Sequence, residues 1–519
     1  MDRAKTILAG LLVWFGLVVP DQLTRLSPAA FVRLPAEVLL IVLVGLLLPA
    51  RPARVVGWVA GVGLGGLLVL KIITAACFVV LGRPFNPVTD GSYLGSGYGV
   101  LQDAIGPVRA AAVAGAAILL ILVVLLLATA ATLRLIRSAA RHRGPAGRGV
   151  AVLAAVWLLC AALGVQAGGG RVAATSASGF TPRTAAPALT TADAFAATPG
   201  DELLGGLRGH DVLIVFVESY GRVALTDPQV SPPVLAALGR GDQRIRGAGF
   251  AARSGMLTSS TYAGLSWLAH ATLQSGQWIN DQGRYDQLLA GQRLTLSGAF
   301  GRAGWRTVAA IPANTMDWPE GARFYGYDHI YDSRNLGYAG PEFGYATMPD
   351  QYLLSKFQRA ELAHGHPPVM AELDLVSSHG PWGPLPPTVG WAEVGDGSTY
   401  SSRPAALNMP EGGWQRADQA KAAYAQSIAY TLDTLTSFVA TYGNDDLVLV
   451  VLGDHQPAAV VSGPGASHDV PISIIARDAA VLDRVEPWGW SDGLRPAPDA
   501  PVWGMDTFRD RFLTAYGRG

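Results

Sequence analysis

The chain has 519 residues, and its 39 Lys and Arg balance its 39 Asp and Glu, so the formal net charge is zero. Only 15% of the residues are charged and the mean hydropathy is positive, which excludes a single soluble globular domain. Neutrality and the lack of any long basic run also exclude a nucleic-acid-binding protein.

The amino-terminal third is predicted to be a membrane domain. Apolar runs long enough to cross a bilayer core of ~30 Å lie at about residues 4–20, 34–50, 55–82, 110–135 and 149–168. No small-residue cleavage site follows the first run, which favours an anchor over a cleaved signal peptide. The sequence therefore predicts a five-helix transmembrane domain over residues 1–168.

Basic residues between these runs predict the orientation of the membrane domain. One set of loops carries Arg3, Lys5, Arg51, Arg54, Arg134, Arg137, Arg141, Arg143 and Arg148, and the opposite loops carry Arg25, Arg33, Arg83 and Arg109. The positive-inside rule then predicts a multi-pass protein of the cell membrane, with a cytoplasmic amino terminus and everything after residue 168 outside. Lys71 interrupts the third run, where an ionisable group is costly and marks either a functional site or a partner within the bundle.

The second half of the chain is predicted to be an α/β domain. Residues 169–209 are rich in Ala, Thr, Gly, Ser and Pro and are predicted to be an extracytoplasmic linker, and residues 210–519 are predicted to form the second domain. Continuous apolar strands are predicted at 212–217, 306–311, 369–376, 447–452 and 471–476, with a crossover helix from about 414 to 442. Such strands are typical of a doubly wound, mainly parallel sheet covered on both faces.

Polar residues at the ends of two of these strands predict a metal site. Glu218 follows the first strand, and Asp454 and His455 follow the fourth. Ligands of parallel α/β sheets bind beyond the carboxyl ends of the strands, and two carboxylates with an imidazole suit Mn²⁺ or Zn²⁺. Cys77 and Cys160 both lie in apolar stretches, so no cysteine site is available outside the membrane.

A serine hydroxyl at the predicted start of a helix is a further candidate for the site. Ser266 opens the helical-looking stretch SWLAHATLQSG, where the helix dipole favours a bound phosphate. From this segment alone, a plain helix cap is the better interpretation of this serine.

The motifs VLIVFVESYGR, SWLAHATLQSG, SSHGPW, YAQSIAYTLDTLTSFV and VLVVLGDHQP occur in an order that resembles the alkaline phosphatase and sulfatase superfamily. The membrane anchor resembles that of lipoteichoic acid synthase and related phosphoglycerol transferases. The resemblance implies that Glu218, Ser266, Asp454 and His455 hold the metal and that His379 is a substrate-side histidine. It also implies a substrate or second-metal role for His468 and substrate contacts for Trp318 and Arg323.

The resemblance further implies the nucleophile and the reaction. Ser266 lies ten residues before Gly276, the family's spacing, and Thr261 is the alternative nucleophile. A divalent metal, Mn²⁺ before Zn²⁺ or Mg²⁺, activates this hydroxyl, which attacks a phospholipid donor and forms a phospho-enzyme. A cell-envelope glycan or lipid acceptor, or water, resolves it, with His379 or His468 as the acid/base partner.

Alternatives remain open at this stage. The transferred group is predicted to be a phospho-alcohol such as phosphoglycerol, with phosphoethanolamine transfer or sulfatase-like hydrolysis as alternatives. The stretch SWLAH lacks the proline and arginine of formylglycine sulfatases, which argues against that chemistry. A catalytically silent membrane scaffold is the alternative from a different class of protein.

Overall fold

The computed structural model describes residues 2–21, 35–81, 106–162, 189–190, 192–363, 365–408, 416–463 and 465–517, with a few residues inside 22–34 and 82–105. The chain divides into two compact units, Met1–Ala186 and Pro187–Gly519. The predicted loops at Arg25, Arg33 and Arg83, and the linker up to residue 188, lie outside the described residues.

The first unit is helical. Its apolar helices are α1 (Asp2–Val18), α2 (Ala36–Leu47), α3 (Ala50–Leu81), α4 (Pro107–Arg141) and α5 (Arg143–Ala162). Two of the described helices are long and apolar enough to cross a membrane, in the segments Ala50–Phe78 and Pro107–Arg141, and Ala36–Leu47 is a shorter apolar helix. Five helices thus correspond to the five predicted runs, but two rather than five meet the length and composition of a full span.

Small residues let α3 approach α4 closely. A Cβ at Gly61 would lie 2.5 Å from the Cα of Thr129, and one at Gly65 would lie 2.9 Å from the Cα of Leu125. Glycines spaced four residues apart lie on one helix face, and this small-xxx-small pattern is a common contact between membrane helices. The contact explains why α3 tolerates glycines that would weaken an isolated helix.

Lys71 has a structural partner. Its Nζ donates hydrogen bonds of 3.0 Å to the carbonyl oxygens of Gly16 and Leu17 at the carboxyl end of α1. The last carbonyls of a helix lack partners within the helix, and a lysine satisfies them. This favours the interpretation of Lys71 as a residue paired within the bundle.

The second unit begins earlier than the sequence predicts. Leu203, Leu204 and Leu207 are buried in its core, and Asp193 forms a 2.9 Å ion pair with the fully buried Arg509. The predicted linker over 169–209 is therefore too long at its carboxyl end, because apolar residues within the small-residue stretch pack on the domain.

A nine-stranded mixed sheet organises this unit. In chain order its strands are β1 (Asp211–Val217), β2 (Ala251–Thr258), β3 (Arg306–Ile311), β4 (His329–Asp332), β5 (Val369–Leu375), β6 (Leu447–Gly453), β7 (Asp469–Ala476), β8 (Ser491–Asp492) and β9 (Val502–Gly504). The order is β4-β3-β5-β1-β6-β7-β2-β8, with β9 also paired to β2. The strands β4, β3, β5, β1 and β6 are parallel, whereas β7 is antiparallel to both of its neighbours.

Helices cover both faces of the sheet, as an α/β fold requires. The helices are α6 (Val223–Thr226), α7 (Ser231–Gly247), α8 (Ser266–Ser275), α9 (Gln282–Leu289), α10 (Leu296–Arg302), α11 (Pro319–Arg323), α12 (Asp350–Glu361), α13 (Ala417–Tyr442), α14 (Ala459–Ser462), α15 (Ala479–Asp483) and α16 (Phe508–Tyr516). Side chains of β1 alternate between the two cores: Leu213 and Val215 pack with α7, α12 and α13, and Ile214 and Phe216 pack with α8, α10 and α16. Alternation of this kind follows from the two-residue period of a strand.

Candidate metal centre and adjoining cavity

The register of the central strands brings the predicted metal ligands together. Val217 of β1 pairs with Gly453 of β6, so the next residues along the two parallel strands, Glu218 and Asp454, lie side by side. Both are buried, with 8% and 1% of their surface exposed. The carboxyl ends of neighbouring parallel strands thus form the expected ligand-binding edge.

The local backbone is shaped for this close approach. A Cβ at Gly453 would lie 1.9 Å from the Tyr220 carbonyl oxygen, so only glycine fits there. Ser219 adopts a left-handed conformation with φ of 58°, which is strained for a serine. Its N–H donates a 2.7 Å hydrogen bond to Asp454 Oδ1, and its carbonyl accepts a 2.8 Å bond from the Tyr424 hydroxyl.

Ser266 and His455 complete the cluster. The Ser266 Oγ lies 3.1 Å from Glu218 Oε2 and 3.1 Å from His455 Nε2. His455 Nε2 lies 3.4 Å from Glu218 Oε1 and 3.3 Å from Asp454 Oδ2. The structure thus brings together all four residues that the sequence assigned to the metal.

The chemistry of these atoms fits a divalent cation. His455 Nδ1 lies 2.9 Å from the Gln456 carbonyl oxygen, which can only accept, so Nδ1 carries the hydrogen and Nε2 presents a lone pair. Asp454 Oδ2 is buried and has no hydrogen-bond partner among the described residues. Acceptors of Glu218, Asp454 and His455 therefore converge within 4.8 Å of one another without enough donors, which is the arrangement that a cation satisfies.

The pKa of Asp454 reflects this excess of acceptors. Burial, together with the neighbouring charge of Glu218, raises the pKa of this carboxyl to about 6. A bound cation would reverse this shift, because it favours the ionised carboxylate.

Ser266 is not an ordinary helix cap. It is the first residue of α8, the preceding Leu265 occupies the cap position with φ of 65°, and no side chain caps this helix. The Ser266 hydroxyl instead points toward Glu218 and His455. Thr261, the alternative nucleophile, is buried beside Ser259, whose Oγ lies 3.5 Å from its hydroxyl and accepts a 3.2 Å bond from its N–H.

His379 lies on the metal side of the sheet edge. Its ring stacks on Tyr345 at 3.6 Å, and its Nδ1 lies 2.5 Å from the Gly380 carbonyl oxygen. Burial lowers the pKa of His379 to about 4. Among the weaker effects, His455 lowers this pKa further and Asp454 raises it. The imidazole is therefore neutral at neutral pH.

The other predicted substrate residues fall at different places. Trp318 packs against Tyr325 at 5.2 Å and lines the same cavity as Ser266. His468 is exposed just before β7, and its ring lies 5.4 Å from Tyr262. Arg323 does not line the cavity; its largely exposed side chain lies 3.9 Å from Glu320.

The cavity beside Ser266 is aromatic and acidic. Its volume is about 530 Å³. The aromatic side chains of its wall are Trp267, Tyr285, Trp318 and Tyr325, and the carboxylates are Asp286, Asp317, Glu320, Glu372 and Asp374. The described residues that line it include His270 but no lysine or arginine.

A second cluster in this wall was missed by the sequence interpretation. His270 Nδ1 lies 3.1 Å from Glu372 Oε1 and 3.7 Å from Asp374 Oδ1, and the ring stacks on Phe216 at 3.7 Å. Burial opposes a charge on the ring, but Asp374 and Glu372 together raise the pKa of His270 to about 9. The available signals were two carboxylates inside the apolar strand β5 and a histidine one helical turn after Ser266.

Glu372 accepts hydrogen bonds from its neighbours, whereas one oxygen of Asp374 accepts none from the described residues. Glu372 Oε2 accepts a 2.8 Å hydrogen bond from the Tyr327 hydroxyl and another bond from Gln274 Nε2. Asp374 Oδ1 is buried without a hydrogen-bond partner among the described residues. Burial and the charges of Glu372 and Asp454 raise the pKa of Asp374 to about 7.

Comparison with known proteins gives structural likenesses. No family model and no curated protein matches the chain. A lipoteichoic acid synthase of Listeria monocytogenes, LtaP, is 15% identical with a TM-score of 0.39, covering 61% of this chain and 74% of its own. The zinc complex of the periplasmic domain of EcEptC from Escherichia coli is 12% identical with a TM-score of 0.38, covering 59% and 82%.

A phosphoglycerol transferase of Streptococcus pyogenes, GacH in complex with sn-glycerol-1-phosphate, is 13% identical with a TM-score of 0.36, covering 61% of this chain and 87% of its own. Another similar structure, from Vibrio parahaemolyticus, is described as a protein of the alkaline phosphatase superfamily, which is the superfamily that the motifs resemble. The TM-scores of these similar structures all lie below 0.5.

Proposed function

We propose that the chain is a membrane-anchored, metal-dependent phosphotransferase or phosphodiesterase. It takes a phospho-alcohol group from a phospholipid onto Ser266 and passes it to a cell-envelope acceptor or to water. The observation that carries this proposal is the position of the Ser266 hydroxyl, 3.1 Å from both Glu218 and His455 in a cluster rich in acceptors. A silent scaffold gives no reason for a buried carboxylate oxygen of Asp454 without a partner.

The chain's own residues account for the covalent step. Glu218, Asp454, His455 and Ser266 would hold the cation, which would lower the pKa of the serine hydroxyl and neutralise a phosphate oxygen. Ser266 lies at the amino end of α8, where backbone N–H groups also favour a phosphate. The Oγ–phosphorus bond forms as the bond from phosphorus to the lipid alcohol breaks, and that alcohol takes up a proton.

Two histidines are the proposed acid/base and acceptor-side residues. His379, whose pKa is lowered by burial, is neutral at neutral pH, so its ring can accept a proton from the acceptor alcohol or water, although as a weak base. His468 is exposed near Tyr262 and suits a contact with the acceptor. Both assignments are proposals from the family resemblance and the placement of the rings.

Mass spectrometry tests the function directly. The full-length protein is exposed to phosphatidylglycerol or phosphatidylethanolamine and digested, and the peptide containing Ser266 is weighed. A phospho-alcohol adduct on Ser266 would support the proposal, and the added mass names the group. An unmodified Ser266 together with release of a product would reject the covalent route.

The cavity favours a second candidate for the transferred group, a phosphorylated amino alcohol. Trp318 and Tyr325 offer aromatic faces, and Asp374 offers a buried carboxylate oxygen that has no hydrogen-bond partner among the described residues and lies 3.7 Å from His270 Nδ1. Aromatic faces with carboxylates attract an ammonium group rather than a neutral glycerol. Asp317 and Glu320 contribute less, because Arg334 and Arg323 lie near them.

Replacement of Asp374 separates the two donors. If an ammonium group binds beside it, Asp374→Asn should raise KM for phosphatidylethanolamine about tenfold, since a hydrogen bond to a charged group contributes ~1.5–3 kcal/mol. KM for phosphatidylglycerol should change little. Steady-state kinetics with both lipids in the same micelles measures the difference.

The matched control is Asp499→Asn, an exposed aspartate. This variant should leave both KM values unchanged. An equal rise in KM for both lipids in Asp374→Asn would mean that Asp374 contributes to the metal site or to the fold and does not bind the head group.

We also propose a multi-pass topology with the second unit on the outer face of the membrane. The distribution of arginines motivates it, and the helices at Ala50–Phe78 and Pro107–Arg141 supply spans. An alkaline phosphatase reporter fused after Gly519 should be active, since it folds only outside the cytoplasm. Activity of a cytoplasm-only reporter at the same position would overturn this topology.

A further inference from the structure

A basic cavity lies at one end of the first unit, where the amino end of α1 meets the carboxyl end of α4. Its volume is about 660 Å³, and its wall contains Arg3, Arg134, Arg137 and Arg141. Arg134 Nε donates a 3.3 Å hydrogen bond to the Thr6 hydroxyl, which ties the two helices together at this point. No acidic residue is among the described residues that line the cavity.

Three arginines of this cavity have no counter-charge among the described residues. Arg3, Arg137 and Arg141 are exposed and form no ion pair with a described carboxylate. Arg137 Nε donates a 3.1 Å hydrogen bond to the Leu133 carbonyl oxygen of its own helix. This bond orients the guanidinium group but adds no counter-charge. Like charges that line one cavity repel one another, and an anion between them relieves this repulsion.

The wall of the cavity is also amphipathic. Ile7 forms part of it, and Ile7, Leu8 and Leu11 of α1 are all largely exposed. An apolar surface therefore runs from the arginines along α1. A molecule that matches both parts has an anionic head and an apolar tail.

We propose that this cavity binds the phosphate group of an anionic phospholipid, whose acyl chains lie along the apolar surface of α1. Guanidinium groups bind phosphate oxygens through paired N–H donors. Basic pockets between membrane helices are a recurrent kind of lipid site. The site is independent of the catalytic function, since none of its residues belongs to the second unit.

Native mass spectrometry of the full-length protein in detergent micelles tests the site, with phosphatidylglycerol and phosphatidylcholine as the two probes. The wild type should retain phosphatidylglycerol at least ~10-fold better, because each arginine near a lipid phosphate contributes a measurable share of affinity. Arg137→Gln with Arg141→Gln should remove this preference. Arg143→Gln with Arg148→Gln is the matched control, since it removes the same charge from the same end without touching the cavity wall.

Equal losses in the two double variants would overturn the site, because they would show a general effect of charge. Retention of the preference by the first double variant would overturn it as well. If that variant fails to insert, Ser138→Trp fills the cavity without changing charge and should reduce phosphatidylglycerol binding by a similar factor. Displacement of the lipid by an excess of sn-glycerol 3-phosphate would show a site for soluble phosphates and would reject the lipid.

Discussion

Ser266→Ala should abolish the phospho-enzyme and lower turnover by several orders of magnitude. The hydroxyl is the nucleophile of the proposed reaction, and no other hydroxyl of the described residues contacts both Glu218 and His455. The fold should be retained, because Ser266 does not cap α8 and its hydroxyl contacts only the metal cluster. Steady-state kinetics and adduct mass measure the loss, and circular dichroism checks the fold.

Thr261→Ala is the matched control for the nucleophile. This threonine is a neighbouring buried hydroxyl, but its side chain lies beside Ser259 rather than the metal ligands. Turnover should fall only mildly. If Thr261→Ala removes the adduct while Ser266→Ala keeps it, the assignment of the nucleophile is wrong.

The strands that the sequence predicted are those buried on both faces. β1 and β6 are buried along their whole length, so their apolar runs are continuous. β2 reads AARSGMLT and was not predicted, because its buried Ser254 is satisfied by Ser473 and by the Gly493 carbonyl instead of by apolar packing. β4, β8 and β9 are too short to leave a pattern.

The antiparallel direction of β7 was not predictable either. An apolar run such as PISIIA carries no sign of its direction, and only pairing with β6 and β2 defines it. The mainly parallel sheet of the prediction is therefore a mixed sheet.

Residues at strand ends were predictable for the site, whereas residues that depend on packing were not. Glu218 and Asp454 follow apolar runs directly, and the register of β1 and β6 places them together. The cluster of His270 with Glu372 depends on the packing of α8 against β5, which no sequence spacing reveals. Arg323 lies near Trp318 in sequence, but its side chain is directed outward.

Removal of the metal should lower the melting temperature of the full-length protein by several degrees at pH 7.5. A ligand at 100 times its Kd stabilises the folded state by about 2.7 kcal/mol. Calorimetry with Mn²⁺, Zn²⁺ or Mg²⁺, against a chelator, measures the difference, and elemental analysis identifies the retained ion. Unchanged melting with no retained metal would reject the site.

The difference in stability between the metal-bound and metal-free protein should also increase as pH rises from 5 to 7.5. In the metal-free protein the pKa of Asp454 is raised to about 6, above its unfolded value, so the folded state binds more protons between these values. The stability of the metal-free protein therefore falls as pH rises from 3.8 to about 6. The whole loss is up to ~3 kcal/mol, and roughly half of it falls above pH 5. A bound cation keeps the carboxylate ionised and cancels this loss.

Asp454→Asn should uncouple metal from stability. The amide keeps an oxygen that accepts from the N–H groups of Ser219 and His455, at the position where Asp454 Oδ1 accepts now. Its nitrogen can replace the unpartnered Oδ2, 3.3 Å from His455 Nε2, and donate to it. Without metal this variant should therefore melt no lower than the wild type at pH 7.5, yet added metal should no longer raise its melting temperature and turnover should be lost.

Asp499→Asn, with the same change on the surface, should keep both the metal effect and turnover. A metal effect of wild-type size in Asp454→Asn would mean that the cation binds elsewhere, and the second cluster at His270, Glu372 and Asp374 would be the next set of ligands to test.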